Sequence, residues 1–205
     1  MQESKAVSVA LEKDFTKVTK NIETTMTRIE KYGIYCRSWE GGWSNHPNDK
    51  GGATMTGVTY TTFCNFRKAK GLKKPTLLDL RNISDKEWNA VLRWHTWDKA
   101  RLDDIKSEWV AYLIADCIWM SGAGYIKRIQ GLFGLKQDGI VGPKTLGKLN
   151  EMNQESLFNT LWNQRRAFYM GIGKGTNSVF LKGWLRRLEC VRYGYLMCNG
   201  GKKLE

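Results

Sequence analysis

The sequence predicts a mainly α-helical protein with one small β element, and three observations carry that expectation. Apolar residues recur at three- and four-residue spacing along most of the chain, the mark of amphipathic helices. A single stretch, TMTGVTYTT at 54–62, has the Thr-, Val- and Tyr-rich texture of a hairpin or extended strand, and it comes after a glycine loop. At 205 residues, 41% of them hydrophobic and 26% charged, the chain can bury a genuine core and falls in the soluble globular class.

From the N-terminus, residues 1–24 read as a helical extension. Ile22, Met26, Ile29, Tyr32, Tyr35, Cys36 and Trp39 then form one apolar stripe, with Gly33 expected to break or kink it. Gly41 and Gly42 offer a left-handed stop, which places Glu40 in the last helical turn. After the β stretch, TTFCNFRKAKG reads as a short helix closed by Gly71. SDKEW supplies a capping box from Ser84 and Glu87, opening a helix through Trp88, Val91 and Leu92. Ser107 caps EWVAYLIADCIWM, whose apolar run is interrupted by Asp116 and is too short to cross a membrane.

Beyond Gly122 the texture changes. Residues 125–149 read as a helix, an apolar turn, an Asp-Gly turn and a helix opened by Pro143; two more amphipathic helices are expected within 155–171 and 179–197. The chain therefore divides into an extension at 1–24, a central part at 25–118 and a helical part at 119–200. No flexible spacer separates the last two, which can pack as one globule.

The net charge of +13 favours an anionic partner, but the basic residues are dispersed rather than gathered in an arm, which argues against nucleic acid. The N-terminus lacks the order of a signal peptide. Cytoplasmic synthesis is expected, with any export by a route other than such a leader. The five cysteines make no CxxC; buried free thiols are expected at Cys36 and Cys117, and Cys190 and Cys198 could pair. His46 and His95 have no third ligand at metal spacing, so neither metal nor cofactor is expected. Trp94 and Trp97 read as core, Asp98, Asp103 and Asp104 as solvated surface, and Ser121 as a helix end.

One segment has the composition of a reaction site: WEGGWSNHPNDKGGATMTGVT, residues 39–59. Glycoside hydrolysis needs a carboxylic acid that keeps its proton near neutral pH, and a second group acting on the opposite face of the sugar. A helix C-terminus and flanking indoles both disfavour a carboxylate, so Glu40 between Trp39 and Trp43 suits the acid. Asp49 stands nine residues on, in a loop long enough to fold back across a cleft, and the hydroxyls of Thr54, Thr56 and Thr59 could position a water. Gly41 and Gly42 leave room for a sugar chain. Substrate contacts are expected from Trp39, Gly41, Gly42, Trp43, Asn48 and Thr59.

EGGWSNHPNDKGGATMTGVT resembles the signature of the glycoside hydrolase family 108 muramidases: Glu-Gly-Gly-aromatic, a loop with Asn, Pro and Asp, then Gly-Gly-x-Thr-x-x-Gly-Ile/Val-Thr/Ser. Glu40 matches the family's catalytic glutamate, and Asp49, Gly51, Gly52, Thr54, Gly57, Val58 and Thr59 match the rest of that pattern. DCIWMSG is similar to the family's Asp-x-x-x-Asn-x-Gly segment, with Met120 where the family has Asn. IQGLFGLKQDGIVGPKTL, NQRRAFY and FLKGWLRR resemble the predicted peptidoglycan-binding region that accompanies the family. The resemblance, over roughly residues 25 to 190, implies a lysozyme-like α+β fold with a small β-hairpin beside the cleft. It also implies a monomer that hydrolyses the β-1,4 bond between N-acetylmuramic acid and N-acetylglucosamine, with Glu40 as acid and Asp49 or a Thr54-bound water acting opposite. Peptidoglycan glycan strands are then the partner, without nucleic acid or stable membrane insertion. The competing reading is a non-catalytic wall-binding or secretion-related protein on the same scaffold, and chitin hydrolysis is a third.

Overall fold

The computed structural model describes residues 26–45 and 52–205. The N-terminal extension, His46, Asn48 and Asp49 lie outside them. Among the described residues are nine α-helices: α1 Arg28–Ser38, α2 Tyr60–Ala69, α3 Leu77–Arg81, α4 Asp85–Leu92, α5 Glu108–Ser121, α6 Tyr125–Leu132, α7 Pro143–Glu151, α8 Gln154–Ile172 and α9 Ser178–Glu189. Strands β1 Trp43–Ser44, β2 Thr54–Met55 and β3 Val58–Thr59 make one antiparallel sheet; β4 Val191–Arg192, β5 Tyr195–Met197 and β6 Lys203–Leu204 make a second.

Helix α5 is the axis of the molecule. Its residues from Val110 to Ile118 are all buried, so the helix is covered on every side. The residues around it form one continuous core that takes Tyr32, Tyr35, Trp88 and Trp97 from one part of the chain and Ile126, Leu149, Phe158, Leu161, Leu188 and Leu196 from the other. Ser107 caps α5 as expected, accepting from the Val110 amide at 3.4 Å. No helix among the described residues is long and apolar enough to cross a membrane.

Several elements depart from the sequence reading for identifiable reasons. Helix α1 runs unbroken through Gly33, because that glycine faces α4: a Cβ there would lie 3.1 Å from Asn89 Oδ1 and 3.7 Å from Leu92. The residue allows close helix packing and makes no kink. Helix α1 stops at Ser38, with Trp39 at its cap, so Glu40 lies just past the helix and not in its last turn. Neither Gly41 nor Gly42 has a positive φ. The Ser84 box is half formed: Ser84 Oγ accepts from the Glu87 amide at 3.2 Å, while the Glu87 carboxylate takes both Nε and Nη2 of Arg67 at 2.8 and 3.1 Å.

Helix α9 ends at Glu189, well before the predicted helical pattern does. The residues Val191, Tyr195 and Leu196 beyond it are strand formers, and Gly194, at φ +107°, completes a two-residue loop between β4 and β5. Val191, Leu196 and Leu204 line the sheet's buried row. The expected acidic patch is paired: Asp103 accepts from Trp97 Nε1 at 2.7 Å and meets Arg93, while Asp104 accepts from Arg101 Nε at 2.8 Å. All five cysteines are free, so the Cys190–Cys198 alternative is not realised.

Candidate active site

The site forms where four distant pieces of chain meet at Glu40. One Glu40 oxygen, Oε1, accepts from Trp119 Nε1 of α5 at 2.7 Å and from Arg187 Nη1 of α9 at 2.9 Å. The other, Oε2, faces the turn between β2 and β3. There Thr56 and Gly57 have φ of +48° and +77°, which is what a two-residue I′ hairpin turn demands. Thr56 is β-branched and unfavourable in that region, at a cost of roughly 1–3 kcal/mol. Trp88, wholly buried, secures it by donating from Nε1 to the Thr56 carbonyl at 2.8 Å.

Gly57 has no substitute at this position. A Cβ would fall 2.6 Å from Glu40 Oε2, 2.8 Å from its Cδ and 2.8 Å from Trp119 Cζ2, in a backbone conformation that already excludes most side chains. Of the two forms expected for TMTGVTYTT, the hairpin is the one formed, and it brings bare backbone against the carboxyl group.

Behind Glu40 lies a buried polar cluster. Arg187 clamps Asp116 Oδ1 through Nε at 3.0 Å and Nη2 at 2.8 Å, and Asp116 is 2% exposed. Burial opposes the charge of Arg187, but Asp116 and the ionisable groups around it outweigh that and hold the guanidinium's pKa well above its ordinary value. Tyr35 Oη donates to the Arg187 carbonyl at 3.2 Å. Cys36 also lies against the guanidinium, at 3.5 Å from Nη2; burial pushes its thiol up to about 12, so it is a neutral neighbour.

An aromatic row backs the carboxylate. Trp119 meets Trp88 at 5.8 Å between ring centroids and His95 edge-on at 6.0 Å. His95 lies in a π-helical turn, Arg93–Trp97, a geometry common at functional sites. Trp94 packs on Phe66 and Trp97 is in the core, as the sequence suggested.

The other predicted residues are distributed around this centre. Thr54, on β2, pairs with Ser44 and its hydroxyl donates to the Gly52 carbonyl at 3.1 Å. Thr59 caps α2: its Oγ1 accepts from the Thr62 amide at 3.1 Å. Trp39 is half-buried against Tyr35, with Arg186 stacked 5.4 Å over its ring. Trp43 opens β1 with Arg81 5.8 Å above it. Gly41 and Gly42 are exposed, with open space where side chains would be. A cavity of about 480 Å³ lined by Glu30, Gly33, Arg37, Asp85 and Asn89 opens between α1 and α4, and Glu40 is not part of its wall. Chemistry, not volume, identifies the site.

Sequence reasoning did not find Trp119 or Arg187 as partners of Glu40. Trp119 stands three residues after Asp116, which puts both on one face of α5, and that spacing was available. Arg187 is 147 residues from Glu40 and carried no local signal.

The glycosyl hydrolase 108 family model matches residues 35–122, and that of a predicted peptidoglycan domain matches residues 125–189. No curated protein matches the chain. The solved structure of SagA from Brucella abortus is similar at 32% identity, with a TM-score of 0.67, over 80% of this chain and 91% of that one. Identity at that level across most of both chains, joined to the match around Glu40, makes this protein a member of the glycosyl hydrolase 108 family, a peptidoglycan-directed glycoside hydrolase.

Proposed function

We propose that the protein is a muramidase that cleaves the β-1,4 bond between N-acetylmuramic acid and N-acetylglucosamine, with Glu40 as its general acid. The observation that supports this most is the asymmetry of the Glu40 carboxyl group. Oε1 is occupied by two N–H donors, whereas Oε2 faces the Gly57 backbone. A proton on the carboxyl group belongs on Oε2, since an O–H at Oε1 would confront two donors. Oε2 is then the atom that protonates the leaving glycosidic oxygen.

Asp49 is the second carboxylate in this reading, acting from the opposite face of the sugar through a water that the Thr54 hydroxyl helps to hold. A separation of about 6.5–9.5 Å between the two carboxyl groups would leave room for that water and give inversion. The open faces of Gly41 and Gly42, with Trp39, Trp43, Asn48 and Thr59, would bound the glycan strand.

The test is clearing of purified peptidoglycan together with release of reducing sugar, for wild type and Glu40→Gln. Gln keeps the shape and cannot supply the proton, so activity should fall about 10²- to 10⁴-fold in a folded variant. Full activity in Glu40→Gln would move the acid elsewhere. Sedimentation with the wall but no clearing by either protein would make the molecule a binder.

A further inference from the structure

Arg187 belongs to the stretch matched by the predicted peptidoglycan domain, yet its guanidinium ends on Glu40, in the stretch matched by the hydrolase family. We propose that Arg187 is a positioning residue for Glu40, so that the C-terminal region is a wall of the active site as well as whatever it contributes to wall binding. The proposal rests on Glu40 being the general acid.

Three features give Arg187 this part. First, its guanidinium is fixed in place: Nε and Nη2 are both spent on Asp116 Oδ1, its carbonyl is held by Tyr35, and the residue is 5% exposed. The remaining arm, Nη1, therefore has one direction, toward Glu40 Oε1. Second, that bond and the one from Trp119 converge on a single oxygen, which sets the rotation of the carboxyl group and turns Oε2 to the Gly57 side. Third, the charges count correctly. Asp116 takes two of the donors of Arg187, so its carboxylate offsets the guanidinium charge beside Glu40. Arg187 thus orients the acid while Asp116 offsets the charge it brings.

A lysine cannot reproduce this, because an ammonium is a point charge without the planar fork that reaches both carboxyl groups at once. Misplacement of a reacting group by about 1 Å can cost on the order of 10²-fold in rate.

The experiment is steady-state kinetics on soluble, uncrosslinked glycan strands with wild type, Arg187→Lys, Arg187→Ala and Glu40→Gln. Thermal melts and sedimentation with intact peptidoglycan accompany it. Arg187→Lys is expected to keep KM and wall sedimentation while kcat falls about 10- to 100-fold. Added methylguanidinium should restore part of the lost kcat in Arg187→Ala, where it can refill the vacated space, and none in Glu40→Gln. That rescue keeps the test available if the lysine variant fails to fold. Wild-type kcat in Arg187→Lys, a loss confined to KM or to wall binding, or a folded Arg187→Ala that methylguanidinium does not restore would each overturn the proposal. An inactive Glu40→Gln beside a fully active Arg187→Lys sinks this inference alone; an active Glu40→Gln sinks the assignment of the acid and this inference with it.

Discussion

Two arginines are buried in the described residues, Arg187 at 5% and Arg165 at 0% exposure, and they are held in opposite ways. Arg187 is held by charge, between Asp116 and Glu40. Arg165, on α8, has no carboxylate partner among the described residues. It is caged by rings, with Tyr169, Tyr125 and Phe168 at 4.2, 4.6 and 5.1 Å, and it donates to Ser121 Oγ at 3.0 Å and Tyr169 Oη at 2.7 Å. Its Nε finds no acceptor among the described residues. Both meet α5, at Asp116 and at Ser121. A charge pair fixes one orientation, which here leaves one arm of Arg187 on Glu40. An aromatic cage fills space and tolerates change. The first arginine ends on the candidate acid Glu40, and the second joins α5, α6 and α8.

The contrast breaks most directly at Asp116. Asp116→Asn keeps the outline but removes the charge that offsets Arg187. Losing one partner of a buried pair costs about 3–5 kcal/mol, which in a chain of this size lowers the melting temperature by roughly 10 °C. Activity should fall too, since the fork that aims Arg187 is loosened. Thermal unfolding and glycan hydrolysis check both. A variant as stable and active as wild type would mean that Arg187 is held by packing, as Arg165 is.

A smaller effect is expected at the second arginine. Arg165→Met replaces a caged cation by an apolar side chain of comparable reach and removes the cost of keeping a charge out of water. Against it stand two lost hydrogen bonds, each worth about 1 kcal/mol. The net change should stay within about 2 kcal/mol, with kcat unaffected. A loss as large as that of Asp116→Asn, measured in the same melts, would show that the cage depends on the cation.

The same contrast explains what the sequence could disclose. Glu40 as a candidate, the small β element within 54–62 and the caps at Ser84 and Ser107 were legible because each is written within a few residues, in local composition, β-forming residues and capping. The mainly helical fold was legible for the same reason. Arg187 and Trp119 were not, since they reach Glu40 from 147 and 79 residues away, and an arginine bound for a buried clamp looks in sequence like its neighbour Arg186. The second sheet was missed because helix period runs on past Glu189 until Gly194 turns the chain. Gly33 was misjudged because its cause lies on α4.

Acidification separates the two regions more gently. His95 packs edge-on to Trp119 and beside Trp94, with Lys99 near enough to repel its charged form. Burial first, and Lys99 second, hold its pKa below the ordinary value. A base with a lowered folded pKa contributes stability that is fully present above its unfolded value, about 6.5, and is lost as the pH falls through the folded value. Around Arg165 the tyrosines Tyr125 and Tyr169 are shifted upward by burial and do not titrate in that window. Hydrogen exchange, corrected for the intrinsic pH dependence, should therefore show the π-helical turn Arg93–Trp97 losing protection below about pH 6.5. Helix α8 should keep its own, and His95→Phe should abolish the difference. Equal loss in both regions would mean that the fold yields to acid as a whole, and that the site has no pH sensitivity of its own at His95.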